Sequence, residues 1–333
     1  MIKATRGKDV KRIAEEICKD KTIKDVFFVA CGGSLASLYS PYYLLRQESK
    51  NVGCMHMNAN EFVYATPKRV NEQAIVITLS LSGTKETIEA AKKAQKLGAT
   101  SITISSNADS PLHEYGDYQW IEGAASNDAS DPDGKVDAET TAEALSLRFA
   151  FELLRLIDGY KDYKKAVEGF TMIDQICKKA EKKVRNLALR FGEQCQHDQE
   201  IYTMASGPLM GKAYALSICM FMEMLWLHSF AIHNDEFFNG PFEIVERDRA
   251  FVIFMSAGRT RNFDERALRF LKRHSDKVTI IDIRELGISF IHPDVEEYFS
   301  GLVADAMWTY AMALSAFKCH PVPERKYMHK FEY

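Results

Sequence analysis

The chain has 333 residues, 46% of them hydrophobic, which suits two domains of ordinary size, each with its own core. Its 43 Lys and Arg against 46 Asp and Glu leave a formal net charge of -3, so there is no basic field to gather nucleic acid or anionic lipid, and a small-molecule partner is favoured. Seven cysteines, scattered and never spaced C-x-x-C, carry no zinc motif and fit a reducing cytoplasm.

Residues 1–8 offer no apolar signal core, and no membrane association is expected. Apolar, β-rich runs at 26–30, 52–57, 74–79 and 101–105 predict strands, and residues 84–97 repeat apolar positions at helical spacing. That alternation predicts a mostly parallel sheet covered by helices. The first strand runs into Cys31, Gly32, Gly33 and Ser34, with a helix starting near Leu35. Two glycines let the backbone approach an anion, and a helix N-terminus offers unpaired N–H groups and the positive end of a dipole. The third strand ends in Ser80, Leu81, Ser82, Gly83, Thr84 and Lys85, a run of hydroxyls with a lysine that suits a phosphate. Each turn alone also fits plain helix capping; two on neighbouring strands point to an anion site. Neither is a P-loop or a G-x-G-x-x-G fingerprint, so neither ATP nor NAD is expected, and no cofactor or metal is called for.

Residues 122–137 are acidic, small and poor in apolar side chains, which marks either a tolerated surface insertion or a lid. Long amphipathic helices are predicted over 140–158 and 166–189, with the polar residues 159–162 between them. The boundary is therefore placed near 165, giving a first domain of 1–165 and a second of 166–333 that includes the tail. A second strand series at 201–205, 250–255 and 278–283, with a helix over 263–273, repeats the first. Ala30 maps to Ala205 and Gly83 to Gly258 at an offset of 175, and Thr103 to Thr279 at 176. The expected architecture is α/β, two tandem copies of one fold, each a mostly parallel five-stranded sheet flanked by helices. The second copy's turn, 256–260, is thinner in hydroxyls, so one phosphate site per chain is expected, in the first domain.

Residues 209–230 are almost continuously apolar and are predicted to be helical, with Glu223 in their midst. A carboxylate shielded from solvent suits a group that gives and takes protons. Pairing with Lys212 or Arg249 would instead make it a structural residue. His228 and His233 follow; neither has a companion at metal-binding spacing, and each reads by default as structural.

These segments resemble the sugar isomerase (SIS) family in its double-domain form. The resemblance rests on Ala30-Cys31-Gly32-Gly33-Ser34, on Ser80-Leu81-Ser82-Gly83, and on Glu223 followed by the turn Glu236-Phe237-Phe238-Asn239-Gly240-Pro241. Residues 27–32, 205–209, 240–246 and the tail from Pro323 to Tyr333 look like the fructosamine 6-phosphate deglycases. The resemblance implies hydrolysis of a 6-phosphorylated Amadori compound to glucose 6-phosphate and a free amine. It also implies a phosphate held by the two turns, Glu223 moving a proton between C1 and C2, and a homodimer or higher homo-oligomer. An amino-sugar phosphate isomerase or deaminase and a non-catalytic sugar-phosphate sensor stay open as alternatives, although no DNA-binding helix-turn-helix precedes the first strand. Two departures stand out. Lys85 occupies the place of the final threonine in the family's S-x-S-G-x-T loop, and Asn239 that of the ring-opening histidine. An amide does not transfer protons usefully. Either His233, Glu236, His320 or His329 opens the ring, or the substrate arrives open-chain, or the sugar amine is a different one.

Overall fold

The computed structural model describes residues 2–123, 138–328 and 330. Most of the acidic segment read as insertion or lid, 124–137, lies outside them, as do His329 and residues 331–333. The chain divides into two compact units, Met1–Asp174 and Gln175–Tyr333. The division falls inside the helix Tyr163–Cys195, whereas the sequence places a boundary near 165.

The first unit is built on six strands: β1 (Ile2–Ala4), β2 (Asp25–Ala30), β3 (Gly53–Asn58), β4 (Ala74–Leu79), β5 (Thr100–Ser105) and β6 (Tyr118–Ile121). Their order is β1-β6-β5-β4-β2-β3, and every pairing is parallel. Strands β2, β4 and β5 are buried at every position, as strands covered on both faces must be. The second unit holds β7 (Ile201–Ala205), β8 (Ala231–His233), β9 (Ala250–Met255) and β10 (Lys277–Asp282), again all parallel, in the order β10-β9-β7-β8.

Among the described residues, six and four strands replace the expected five and five. In the first unit a three-residue edge strand, too short to show a period, adds itself beside β6. In the second, the apolar residues after β10 fold into 3-10 turns, Ile288–Phe290 and Glu296–Phe299, instead of a further strand. The duplication is visible in topology, since β3-β2-β4-β5 and β8-β7-β9-β10 have the same order. It is visible in the backbone as well: Gly32 and Gly207, at the expected offset, take left-handed φ of 57° and 54°.

The apolar run 209–230 is not one helix. A 3-10 turn (Gly207–Leu209) and a short α-helix (Met210–Ala215) lead into a wider π-helical stretch, Leu216–Met224. Trp226 then adopts φ 56°, an outlier for a bulky side chain. Beyond it the chain runs along β7, where the Ile201 and Thr203 amides donate to the His228 and Phe230 carbonyls, both at 3.0 Å. A continuously apolar run carries no period, so the sequence could not separate helix from buried strand there.

The helix Ala142–Leu153 is buried at nearly every position and is core of the first unit. It carries Glu152, fully buried, whose carboxylate accepts from Arg148 Nε (3.0 Å), Arg155 Nε (2.9 Å) and Tyr163 Oη (2.5 Å), which compensates its removal from water. No helix among the described residues is long and apolar enough to cross a membrane.

Candidate functional site

From β2 the chain passes to β3 on one side and then to β4 on the other, so the direction of winding reverses between β2 and β4. Open parallel sheets bind ligands outside the carboxyl ends of the strands at such a reversal. Both predicted anion turns leave the sheet there. After β2, Cys31 is extended and caps a helix that starts at Gly32, earlier than expected and running to Ser37. A Cβ at Gly32 would meet no atom within 4 Å, so the space over the turn is open. Cys31 and Gly33 are exposed, and Gly32 and Ser34 are half-buried.

After β4, Ser80 is buried and its Oγ accepts the amides of Gly83 (3.1 Å) and Thr84 (2.9 Å), which closes the turn. Gly83 has φ 75°, and a Cβ there would lie 2.8 Å from Ser110 Oγ, so only glycine fits. Leu81, Ser82, Thr84 and Lys85 are exposed, and Lys85 opens the helix Lys85–Lys96. Thr84 Oγ1 lies 3.1 Å from Thr87 Oγ1, while Ser82 makes no hydrogen bond among the described residues. Ser80 therefore shapes the turn, and Ser82, Thr84 and Lys85 face outward with donors to offer.

The equivalent place in the second unit is sealed from within. A Cβ at Gly207 would sit 2.4 Å from Thr260 Oγ1. Asp264, 0% exposed, accepts from Asn234 Nδ2 (2.6 Å) and Ser206 Oγ through one oxygen, and from the Ser256 amide and Oγ (each 2.7 Å) through the other. Burial pushes the Asp264 carboxyl up, against the opposing pull of these hydrogen bonds. Glu297 takes the Arg259 amide (3.2 Å) and its guanidinium (2.7 Å). Here the Ser256 and Arg259 amides and the Ser206 and Ser256 hydroxyls are occupied by the chain's own carboxylates.

Glu223 lies near the end of the π-helical stretch with its side chain 27% exposed, so the apolar neighbours in sequence do not shield it. It is ion-paired, though with neither expected cation: Lys212 bonds Asp305 at 2.5 Å, and Arg249 bonds Glu200 at 2.8 Å. Its partner is Arg325, whose Nη2 (2.7 Å) and Nε (3.0 Å) both donate to Oε1. Arg325 escaped the sequence reading because 102 residues separate the pair and no local pattern links them. His233 ends β8 and its Nδ1 accepts the Asp235 amide at 3.2 Å; exposed Asn239 donates to the Asp235 carbonyl at 3.4 Å. These two candidates are thus gathered around one residue. Of the other ring-opening candidates, Glu236 is exposed, and the His320 ring meets Trp226 edge-on, centroids 4.4 Å apart. The buried Nε2 of His320 has no partner among the described residues. No cluster of three or more His, Cys, Asp or Glu among them is arranged to hold a metal.

The SIS domain model matches residues 21–126, which contain β2 to β6 and both anion turns. Fructosamine deglycase FrlB of Bacillus subtilis is 36% identical over 329 residues, 98% of each chain. The chain belongs to the SIS family. Fructoselysine 6-phosphate deglycase of Escherichia coli K12 is 28% identical over 320 residues, 96% of this SIS chain and 89% of that protein. A solved Salmonella typhimurium LT2 structure, assigned as a phosphosugar isomerase, superposes with a TM-score of 0.93 at 37% identity, covering 98% of this chain and 99% of that one.

Proposed function

We propose that this SIS protein is a fructosamine 6-phosphate deglycase, releasing glucose 6-phosphate and a free amine from a 6-phosphorylated Amadori compound. The observation that carries the reading is a pair of open, donor-rich turns at the sheet's reversal point in a chain similar end to end to a fructosamine deglycase. The turns at Gly32–Ser34 and Ser82–Lys85 hold the phosphate, which fixes the carbon chain of the open ketosamine. Glu223 takes a proton from C1, giving an enaminol, and returns one to C2, leaving an imine between C1 and nitrogen. Water adds at C1 and the amine departs, which leaves the aldehyde of glucose 6-phosphate.

Incubation with fructoselysine 6-phosphate and other Amadori 6-phosphates, followed by assay of glucose 6-phosphate, tests the reading; no release from any of them defeats it. Asn239, without a transferable proton, favours the sensor as the second reading, and tight sugar-phosphate binding without turnover would establish it. Within the turn, Ser82→Ala is expected to raise KM about tenfold through one lost charge-assisted hydrogen bond, with melting unchanged. Ser80→Ala is expected to lower first-unit stability by about 1 kcal/mol, because Ser80 holds two turn amides. Equal effects of the two substitutions on KM and melting would refute this division of roles.

The protein is further proposed to work in the cytoplasm, in keeping with seven free cysteines, and as a homodimer or larger homo-oligomer. Exposed Leu187, Leu189, Trp308 and Met312 support association, and light scattering that finds only monomer removes it.

A further inference from the structure

Arg325 does more than neutralise Glu223. Both guanidinium nitrogens that reach the carboxylate converge on Oε1, and Oε2 has no hydrogen bond among the described residues. The remaining nitrogen, Nη1, donates to the Val322 (2.6 Å) and Glu324 (2.9 Å) carbonyls, so the fork is itself held by its own loop. That loop is fastened beside the Glu223 turn at two more points. Lys326 Nζ lies 4.3 Å from the Trp226 ring centroid, and the His320 ring meets the same indole. The backbone of His320 is tied to the helix Met307–Lys318, its amide donating to the Ser315 carbonyl (3.0 Å) and its carbonyl accepting from Ser315 Oγ (2.5 Å).

Trp226, the target of this strap, carries the left-handed φ that ends the π-helical stretch. Such backbone persists only where its surroundings hold it, and π-helical turns and strained residues gather at functional sites. An unrestrained glutamate in the last helical turn would spread over several rotamers, and a base must sit within about 0.5 Å of its productive place.

We propose that Arg325 is a positioning residue for the proposed base. It pins Oε1 and leaves Oε2 as the oxygen that exchanges the proton, and the segment 320–326 is the strap that holds it there. The inference rests on the deglycase reading for its kinetic arm, and its structural arm stands without it.

Arg325→Ala is expected to lower kcat about a hundredfold with KM near wild type, a loss in the usual range for a misplaced acid-base group. Arg325→Lys, with a single point charge and no fork, should recover only part of that. Ethylguanidinium added to Arg325→Ala should restore kcat without altering KM. Wild-type kcat in Arg325→Ala, or a loss that guanidinium leaves untouched in a folded variant, overturns the proposal. A crystal structure of Arg325→Ala should show Glu223 in a new rotamer or several, and an unchanged rotamer overturns it whatever substrate is turned over. If the wild type releases no glucose 6-phosphate while Glu223 moves in Arg325→Ala, the deglycase reading fails and the positioning contact stands.

Discussion

Glu223→Gln is expected to lower kcat for Amadori 6-phosphates about 10²–10⁴-fold, the contribution of a positioned acid-base group, while KM stays near its wild-type value. Glutamine keeps the shape of the side chain and can still accept the Arg325 fork through its amide oxygen, so the turn is left in place. What it loses is the ability to take a proton from C1 and return one at C2. If the phosphate binds the turns of the first unit, as proposed, glucose 6-phosphate should bind Glu223→Gln about as well as it binds the wild type. Steady-state kinetics and calorimetric titration separate the two quantities, and a variant that turns over at the wild-type rate takes the role away from Glu223.

Asp264→Ala should destabilise the second unit by about 2–6 kcal/mol, read as a fall in its melting temperature or denaturant midpoint. Its four hydrogen bonds are unequal. When the carboxylate is removed, Ser256 Oγ still has Thr260 Oγ1 at 3.1 Å and Ser206 Oγ still has the Thr260 carbonyl at 3.3 Å. The Ser256 amide and Asn234 Nδ2 have no second partner among the described residues, and each buried orphan costs about 1–3 kcal/mol. With total domain stability commonly about 5–15 kcal/mol, the upper end approaches unfolding. Asp264→Asn tests the mechanism, since it keeps the volume but sets an NH2 group against one pair of donors. Melting of both variants within about 1 kcal/mol of wild type would show that the carboxylate is not what closes this turn.

The parallel sheets were legible because buried strands are written as short, nearly unbroken apolar and β-prone runs: Ala74–Leu79, Ile201–Ala205 and Ala250–Met255 have the bounds that the sequence suggests. Short edge strands were not. Ile2–Ala4 and Ala231–His233 have three residues each, and they are strands because a neighbour offers its edge, which is tertiary information. The glycine-rich turns could be read from composition, since φ near +57° at Gly32 and +75° at Gly83 needs that residue type. Glu223 stood out for the wrong reason: its neighbours in sequence are apolar, yet its neighbour in space is a guanidinium from the tail. The same limit hid Asp264 and Glu297, each an ordinary acidic residue until folding brings Ser256 and Arg259 to it.

The twin glycines 32 and 207 give one backbone bend two different fates. Over the first lies vacant space; over the second, a threonine methyl and hydroxyl fill the hollow. Selection must therefore weigh corresponding positions by separate criteria. In a saturation library, changes at the outward-facing Ser82, Thr84 and Lys85 should sort by turnover of the proposed substrate and leave abundance untouched, whereas changes around 256–264 should sort by abundance first. A gene that began as two equal halves would then carry, in one half, the record of what it consumes and, in the other, the record of what keeps it folded.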